Sequence, residues 1–254
     1  GVTVTLKQGD TYNAPVPSPV AVPNLSNVQA ISAGDLSSCA LRSDATVWCW
    51  GDNGDGELGD GSAGDARPTP GQVPGLSEIE TISVGGGSVC AVGAKHTAWC
   101  WGWNAYGQLG NGTTRAQLTP VAVSNLTDIS AISQGNNQHT CAVRSDGTVW
   151  CWGWNNQGQL GDGTTTDSST PRQVPGLSDA TDVSAGWRQT CTLRSDGTVW
   201  CWGNGETTPS QVGQLKDVTS ISAGAYQNCA LLSDSTIWCW GDDLDSPMQV
   251  TGLK

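Results

Sequence analysis

The chain has 254 residues, a net charge of −12, and 34 Gly against one Met and no Phe. So acidic a chain lacks the clustered Lys and Arg with which a protein displaces counterions from nucleic acid or an anionic membrane surface, so neither is an expected partner. No segment approaches the roughly 20 apolar residues of a bilayer-spanning helix, which excludes helical membrane insertion, and Trp, with 13 copies, must supply much of the core.

Residues 1–18 read as an N-terminal strand and a linker. Val2-Thr-Val-Thr-Leu6 alternates in the period of a strand, Gly9-Asp10 marks a turn, and Pro15, Pro17, Pro19 and Pro23 stiffen the chain beyond that turn. The start at Gly1 reads as a processed or otherwise trimmed form. A repeat occupies residues 19–254. Its first segment, Pro19-Val-Ala-Val-Pro-Asn-Leu25, returns at Pro70, Pro120, Pro171, Pro209 and Pro247. After each Leu comes a short strand ending in Gly, as in Val28-Gln-Ala-Ile-Ser-Ala-Gly34, whose small residues suit close packing near an axis.

A Cys-x9-Cys hairpin comes after each of these strands. Its clearest copy is Cys141-Ala-Val-Arg-Ser-Asp-Gly-Thr-Val-Trp-Cys151-Trp-Gly153. A three-residue turn at Ser145-Asp146-Gly147, with Gly147 in the left-handed region, sets Arg144 against Thr148 and Cys141 opposite Cys151. That register predicts a disulfide at a non-hydrogen-bonded pair, and the same spacing pairs Cys39 with Cys49, Cys90 with Cys100, Cys191 with Cys201, and Cys229 with Cys239. No copy contains CxxC, so zinc is not implied. Five such pairs place the protein in an oxidising compartment, secreted or otherwise extracellular. Three sequons, at Asn24, Asn111 and Asn125, bear on surface chemistry only in a glycosylating source.

The loops after the hairpins share a second motif, W-G-x-N-x-x-G-[QE]-L-G-x-G, in residues 50–61, 101–112 and 152–163. Units four and five lack it, reading Trp202-Gly-Asn-Gly-Glu and Trp240-Gly-Asp-Asp-Leu. With the Ser-Ala-Gly strand and the S-D-G-T-V-W turn, this pattern resembles the regulator of chromosome condensation repeat over residues 19–254. The resemblance implies a β-propeller, of which the nuclear type has seven blades. The repeats counted in this chain predict an all-β propeller of five four-stranded blades, each with an intrablade hairpin disulfide; a capped solenoid is the alternative. The cysteine pairs are not part of the general family pattern.

Raw material for catalysis is sparse, and a non-enzymatic protein without cofactor or metal is expected. His139 stands where the family repeat commonly has a structural His, and His96 falls in a turn. The run Asp52 to Asp60 is calcium-like, but Gly54 replaces a ligand and the closing bidentate Glu is missing. Arg42, Arg144 and Arg194 lie diagonal to Trp48, Trp150 and Trp200, which predicts structural stacking. Trp103, Tyr106, Trp154, Trp187 and Tyr226 lie outside the Trp-Cys-Trp triads, in or beside connecting loops, and are the candidate contact residues.

In the family, propeller faces bind a small GTPase and promote nucleotide exchange, engage chromatin or, in secreted bacterial members, inhibit β-lactamases. The expectation for this acidic, disulfide-bearing chain is a secreted protein-interaction scaffold using its faces and loops. Six Pro-x-x-Val segments serve five hairpins, so one β-capable segment is surplus. Either Pro19 to Leu25 zips the last blade to the first, or strand addition by Val2, Val4 and Leu6 links copies of the chain into an extracellular fibre or oligomer. A carbohydrate-binding propeller presenting loop Trp residues to a glycan is a further alternative.

Overall fold

The computed structural model describes residues 20–241 and 244–252. Each repeat forms one four-stranded antiparallel sheet with its strands in chain order. The first blade is β1 Val28–Ala33, β2 Ser37–Arg42, β3 Val47–Asn53 and β4 Gly64–Gln72. The second is β5 Ile79–Val84, β6 Ser88–Gly93, β7 Ala98–Gly102 and β8 Gln117–Ala122; the third is β9 Ile129–Gln134, β10 His139–Arg144, β11 Thr148–Gly153 and β12 Ser168–Ser178. The fourth is β13 Ala180–Ala185, β14 Gln189–Arg194, β15 Val199–Gly203 and β16 Glu206–Gln211; the fifth is β17 Val218–Ala223, β18 Gln227–Leu232, β19 Ile237–Gly241 and β20 Leu244–Gln249.

The hairpin register is the expected one. Cys141 faces Cys151 and Val143 faces Val149, and the same pairing recurs in the other blades. All five disulfides form, each across Cα atoms 4.1 Å apart. The turn explains the D-x-T signature. Asp146 Oδ1 accepts from the Thr148 amide and hydroxyl at 3.0 and 2.6 Å, and Trp150 Nε1 donates to that hydroxyl at 3.0 Å. The Thr bonds hold the Asp44, Asp146, Asp196 and Asp234 carboxyls below their ordinary range. Gly147 sits at φ 78°, the position that Ala45, His96 and Ser235 occupy in other blades at φ 55° to 67°.

The core lies between blades. One face of each blade carries its disulfide and flanking aliphatics, and it packs on the opposite face of the next. Cys39, Leu41, Val47 and Cys49 meet Ile79, Ile82, Ala91 and Trp101, with Trp99 at the margin. The same contact repeats at the second, third and fourth junctions. Inner strands are tied by a side-chain to main-chain bond: Ser32, Ser83, Ser133 and Ser184 each accept from the amide of the neighbouring inner strand at 2.8 to 3.0 Å.

No packing of this kind joins the fifth blade to the first among the described residues. The exposed ends show it. Ile31 of β1 is 45% accessible where its counterpart Ile82 is 9%, and Leu231 is 39% accessible where Val143 is fully buried. The expected Pro19 to Leu25 zip begins outside the described residues; of its described part, residues 20–25, none is a strand of the fifth sheet, whose outer edge is the sixth Pro-x-x-Val segment in β20.

Candidate interaction face

Loops joining first to second strands and third to fourth strands emerge at the same end of every blade, since successive strands run antiparallel. At this end the G-[QE]-L-G segments form hydrogen-bonded turns: Gly59, Gly110 and Gly161 donate to the carbonyls of Gly56, Gly107 and Gly158 at 2.9 to 3.0 Å. Asn53, Asn104 and Asn155 lock each turn by accepting from the Leu amide at 2.9 to 3.1 Å.

On this scaffold the structure brings the candidate aromatics into two groups. Trp103 and Tyr106 meet edge to face at 5.7 Å, and Tyr106 lies 5.9 Å from Trp154. Trp187 and Tyr226 pair at 5.5 Å, with the Arg188 guanidinium 6.0 Å above the Trp187 ring. Val2, Val4 and Leu6 lie outside the described residues.

Beside Trp103 a cavity of about 240 Å³ is lined by Leu36, Asp52, Asp55, Glu57 and the backbone of Gly86 and Gly87. Leu36 is 69% exposed at its rim. Glu57 stands where the other turns have Gln108 and Gln159; burial pushes its carboxyl up, and the charges of Asp52 and Asp55 add to that. Burial also raises Asp35, whose Oδ2 borders Gly86. The pocket therefore joins an aromatic wall, an aliphatic rim and concentrated negative charge. The acidic run was legible in the sequence as a calcium-like loop; its association with Leu36 and Trp103 depends on two blades meeting.

Asp60, which closes the calcium-like run, pairs with Arg67 and Ser62. Among the described residues no group of three His, Cys, Asp or Glu is placed to hold a metal ion. His139 is fully buried and its pKa is lowered to about 4 by desolvation. Its Nε2 lies 2.9 Å from Thr190 Oγ1, which itself donates to the Gln159 carbonyl, so His139 is a neutral Nε2–H donor. His96 occupies the exposed turn, with Nδ1 3.2 Å from the Ile129 carbonyl. Arg42 and Arg194 stack on Trp48 and Trp200 at 5.5 and 5.3 Å. Arg144 instead bridges Asp128 and Asp146 at 3.2 and 2.9 Å, two carboxylates that compete with the indole for it.

A family model for the RCC1-like domain matches residues 4–216, and one for the regulator of chromosome condensation (RCC1) repeat matches residues 218–245. The chain belongs to the RCC1-like domain family. Among curated RCC1-like relatives, it is 36% identical over 186 residues to the ultraviolet-B receptor UVR8 of Arabidopsis thaliana, covering 71% of this chain and 42% of that protein. It is also 36% identical over 155 residues to the E3 ubiquitin-protein ligase HERC2 of Homo sapiens, covering 58% of this chain and 3% of that protein. The chain thus spans less than half of either relative. In solved structures it is similar to yeast RCC1 (Prp20), crystallised with Kap60, with a TM-score of 0.80 at 20% identity, covering 92% of this chain and 67% of that one. Human WBSCR16 gives a TM-score of 0.81 at 20% identity, covering 93% and 71%. Among the described residues the five blades stack in one series whose fifth member does not pack on the first, which accounts for the exposed Ile31 and Leu231.

Proposed function

We propose that this RCC1-like propeller is an exported, non-enzymatic protein-interaction scaffold whose loop end receives a basic segment of a partner. Export rests on the five disulfides, which belong to an oxidising environment. The observation that carries the contact reading is the pocket of Leu36, Asp52, Asp55, Glu57 and Trp103. A Lys or Arg side chain suits it: the methylene stem lies against Leu36 and the indole, and the charged head meets the carboxylates. The neighbouring Tyr106 and Trp154 extend the apolar contact outward.

Titration of labelled Lys- and Arg-rich peptides tests this directly. Binding is expected to weaken at least tenfold on Trp103→Ala, to be lost in Asp52→Asn/Asp55→Asn, and to fall with added salt. Equal affinity for an acidic peptide of the same length contradicts it.

A second reading, assembly of copies into a fibre or oligomer, is favoured by the bare end blades with Ile31, Leu231 and Met248 exposed. Light scattering of the full chain and of a version starting at Pro19 separates the two. Monomers in both samples remove the assembly reading and leave the scaffold intact.

A further inference from the structure

Three of the four blade junctions are closed by the same device. The turn leaving one blade presents a backbone carbonyl to the indole of the next: Glu57, Gln108 and Gln159 accept from Nε1 of Trp101, Trp152 and Trp202 at 2.9, 2.8 and 2.8 Å. Directly cross-strand from Trp152 and Trp202, the hydroxyls of Thr140 and Thr190 donate to that same carbonyl at 2.8 and 2.9 Å. Leu58, Leu109 and Leu160 fill the slot between one blade's disulfide and the next blade's indole. Gly59, Gly110 and Gly161 then lie on the indole so closely that a Cβ would come 2.6 to 2.7 Å from Nε1.

The fourth blade has no such turn. Asn204 and Gly205, at φ 53° and 101°, close β15 onto β16 as a two-residue hairpin of the type that needs two left-handed residues. The receiving side is nevertheless complete. Trp240 holds the indole position, and no hydrogen bond to its Nε1 occurs among the described residues. Cross-strand from it is Asn228, 1% exposed, with neither Oδ1 nor Nδ2 partnered. Between the blades lies a cavity of about 360 Å³ lined by Cys201, Trp202, Val212, Trp240 and Pro247. Cys201 is half-buried there, whereas Cys49, Cys100 and Cys151 are sealed by the leucines.

We infer that the junction of the fourth and fifth blades is a socket for a Gly-Gln-Leu-Gly-type turn supplied in trans by a partner protein. The leucine enters between Cys201 and Trp240. The carbonyl before it accepts from Trp240 Nε1 and Asn228 Nδ2, and an N–H of the same segment reaches Asn228 Oδ1. The next glycine lies on the indole. A purely apolar ligand leaves the Asn228 amide unmet inside the protein, at a cost a peptide turn avoids. A second copy does not qualify as the donor, because its own turns are buried with Leu58, Leu109 and Leu160 enclosed. The socket is a separate site from the acidic pocket and does not depend on it.

The probe is a cyclised peptide copying residues 155–164, titrated into the full chain and followed by calorimetry and by the indole signals in a nitrogen–proton spectrum. Saturable binding that moves the Trp240 indole is expected. A chain whose Asn204-Gly205 turn is replaced by the third blade's loop, residues 154–167, should melt higher and no longer bind. Should that graft not fold, Asn228→Val serves instead, with binding weakened at least tenfold. A Trp240 signal unmoved at millimolar peptide, or equal binding by the grafted or Asn228→Val chain, overturns the inference.

Discussion

The junction of the third and fourth blades and that of the fourth and fifth share one backbone plan and differ in one loop. At the former, Leu160 and the Gln159 carbonyl enter between the Cys141–Cys151 disulfide and Trp202, and that carbonyl meets both Thr190 Oγ1 and Trp202 Nε1. At the latter the loop has shrunk to Asn204-Gly205, the indole is retained, and Asn228 is buried without partners. The comparison teaches that inter-blade stability in this series of blades is local and is delivered by the turn. Repeat proteins behave in this way because each unit contacts only its neighbours.

Substitutions should separate the two junctions in a definite order of size. Leu160→Ala removes the filler of a fully enclosed slot and should lower unfolding free energy by about 3 to 5 kcal/mol in urea titration. No counterpart exists at the next junction.

The second effect is pH. His139 bonds to Thr190 across the filled junction, with its pKa lowered to about 4, so the folded state binds fewer protons than the unfolded one between that value and the ordinary 6.5. Stability conferred by the neutral ring is present above pH 6.5 and is lost as pH falls toward 4, by up to about 3 kcal/mol. Glu57 and Asp182, raised by burial, work in the opposite direction and blunt the slope. His139→Gln, which installs the residue found at 189 and 227, should flatten the profile between pH 6.5 and 4 in urea titrations repeated at each pH.

Disulfide removal ranks third. Each bridge closes a loop of the same length, for which chain entropy gives at most about 3 kcal/mol. Replacing Cys141 and Cys151 by Ala should approach that figure, and replacing Cys229 and Cys239 should cost less, because among the described residues the end blade packs on one side only. Mild reductant with thiol labelling should open Cys191–Cys201 and Cys229–Cys239 first, since Cys201, Cys229 and Cys239 are half-buried.

The smallest effect is the most discriminating, because its sign reverses. Thr190→Val removes a buried donor between His139 and Gln159 and should destabilise by about 1 to 2 kcal/mol. Asn228→Val deletes two unmet polar groups and should stabilise by about 1 kcal/mol. Val89 already occupies this position in the second blade. Thermal melts of both variants measure the pair.

Blade count, strand order, hairpin register and all five disulfides were legible in the sequence, because a three-residue turn ending in a left-handed residue sets register and register sets Cys opposite Cys. Whether the blades close was not legible. The packing of one blade on the next brings together residues far apart in the chain, such as Leu58, Ile82 and Trp101, and no local motif encodes it. The acidic pocket was hidden for the same reason, since Leu36 and Asp52 come from one blade and Trp103 from the next. The missing turn in the fourth unit was visible as a departure from the motif. Its consequence required knowing that the lost carbonyl served two donors; aligning Thr140, Thr190 and Asn228 by their offset from the first Cys would have pointed to it.

Exchange of the tryptophan indole protons with deuterated solvent, resolved residue by residue, tests the difference between the junctions most directly. Trp152 and Trp202, capped by Gln108 and Gln159, should exchange slowly, while Trp240 should exchange at least a hundredfold faster. Protection of Trp240 equal to that of Trp202 in the free chain would contradict an unfilled fourth junction.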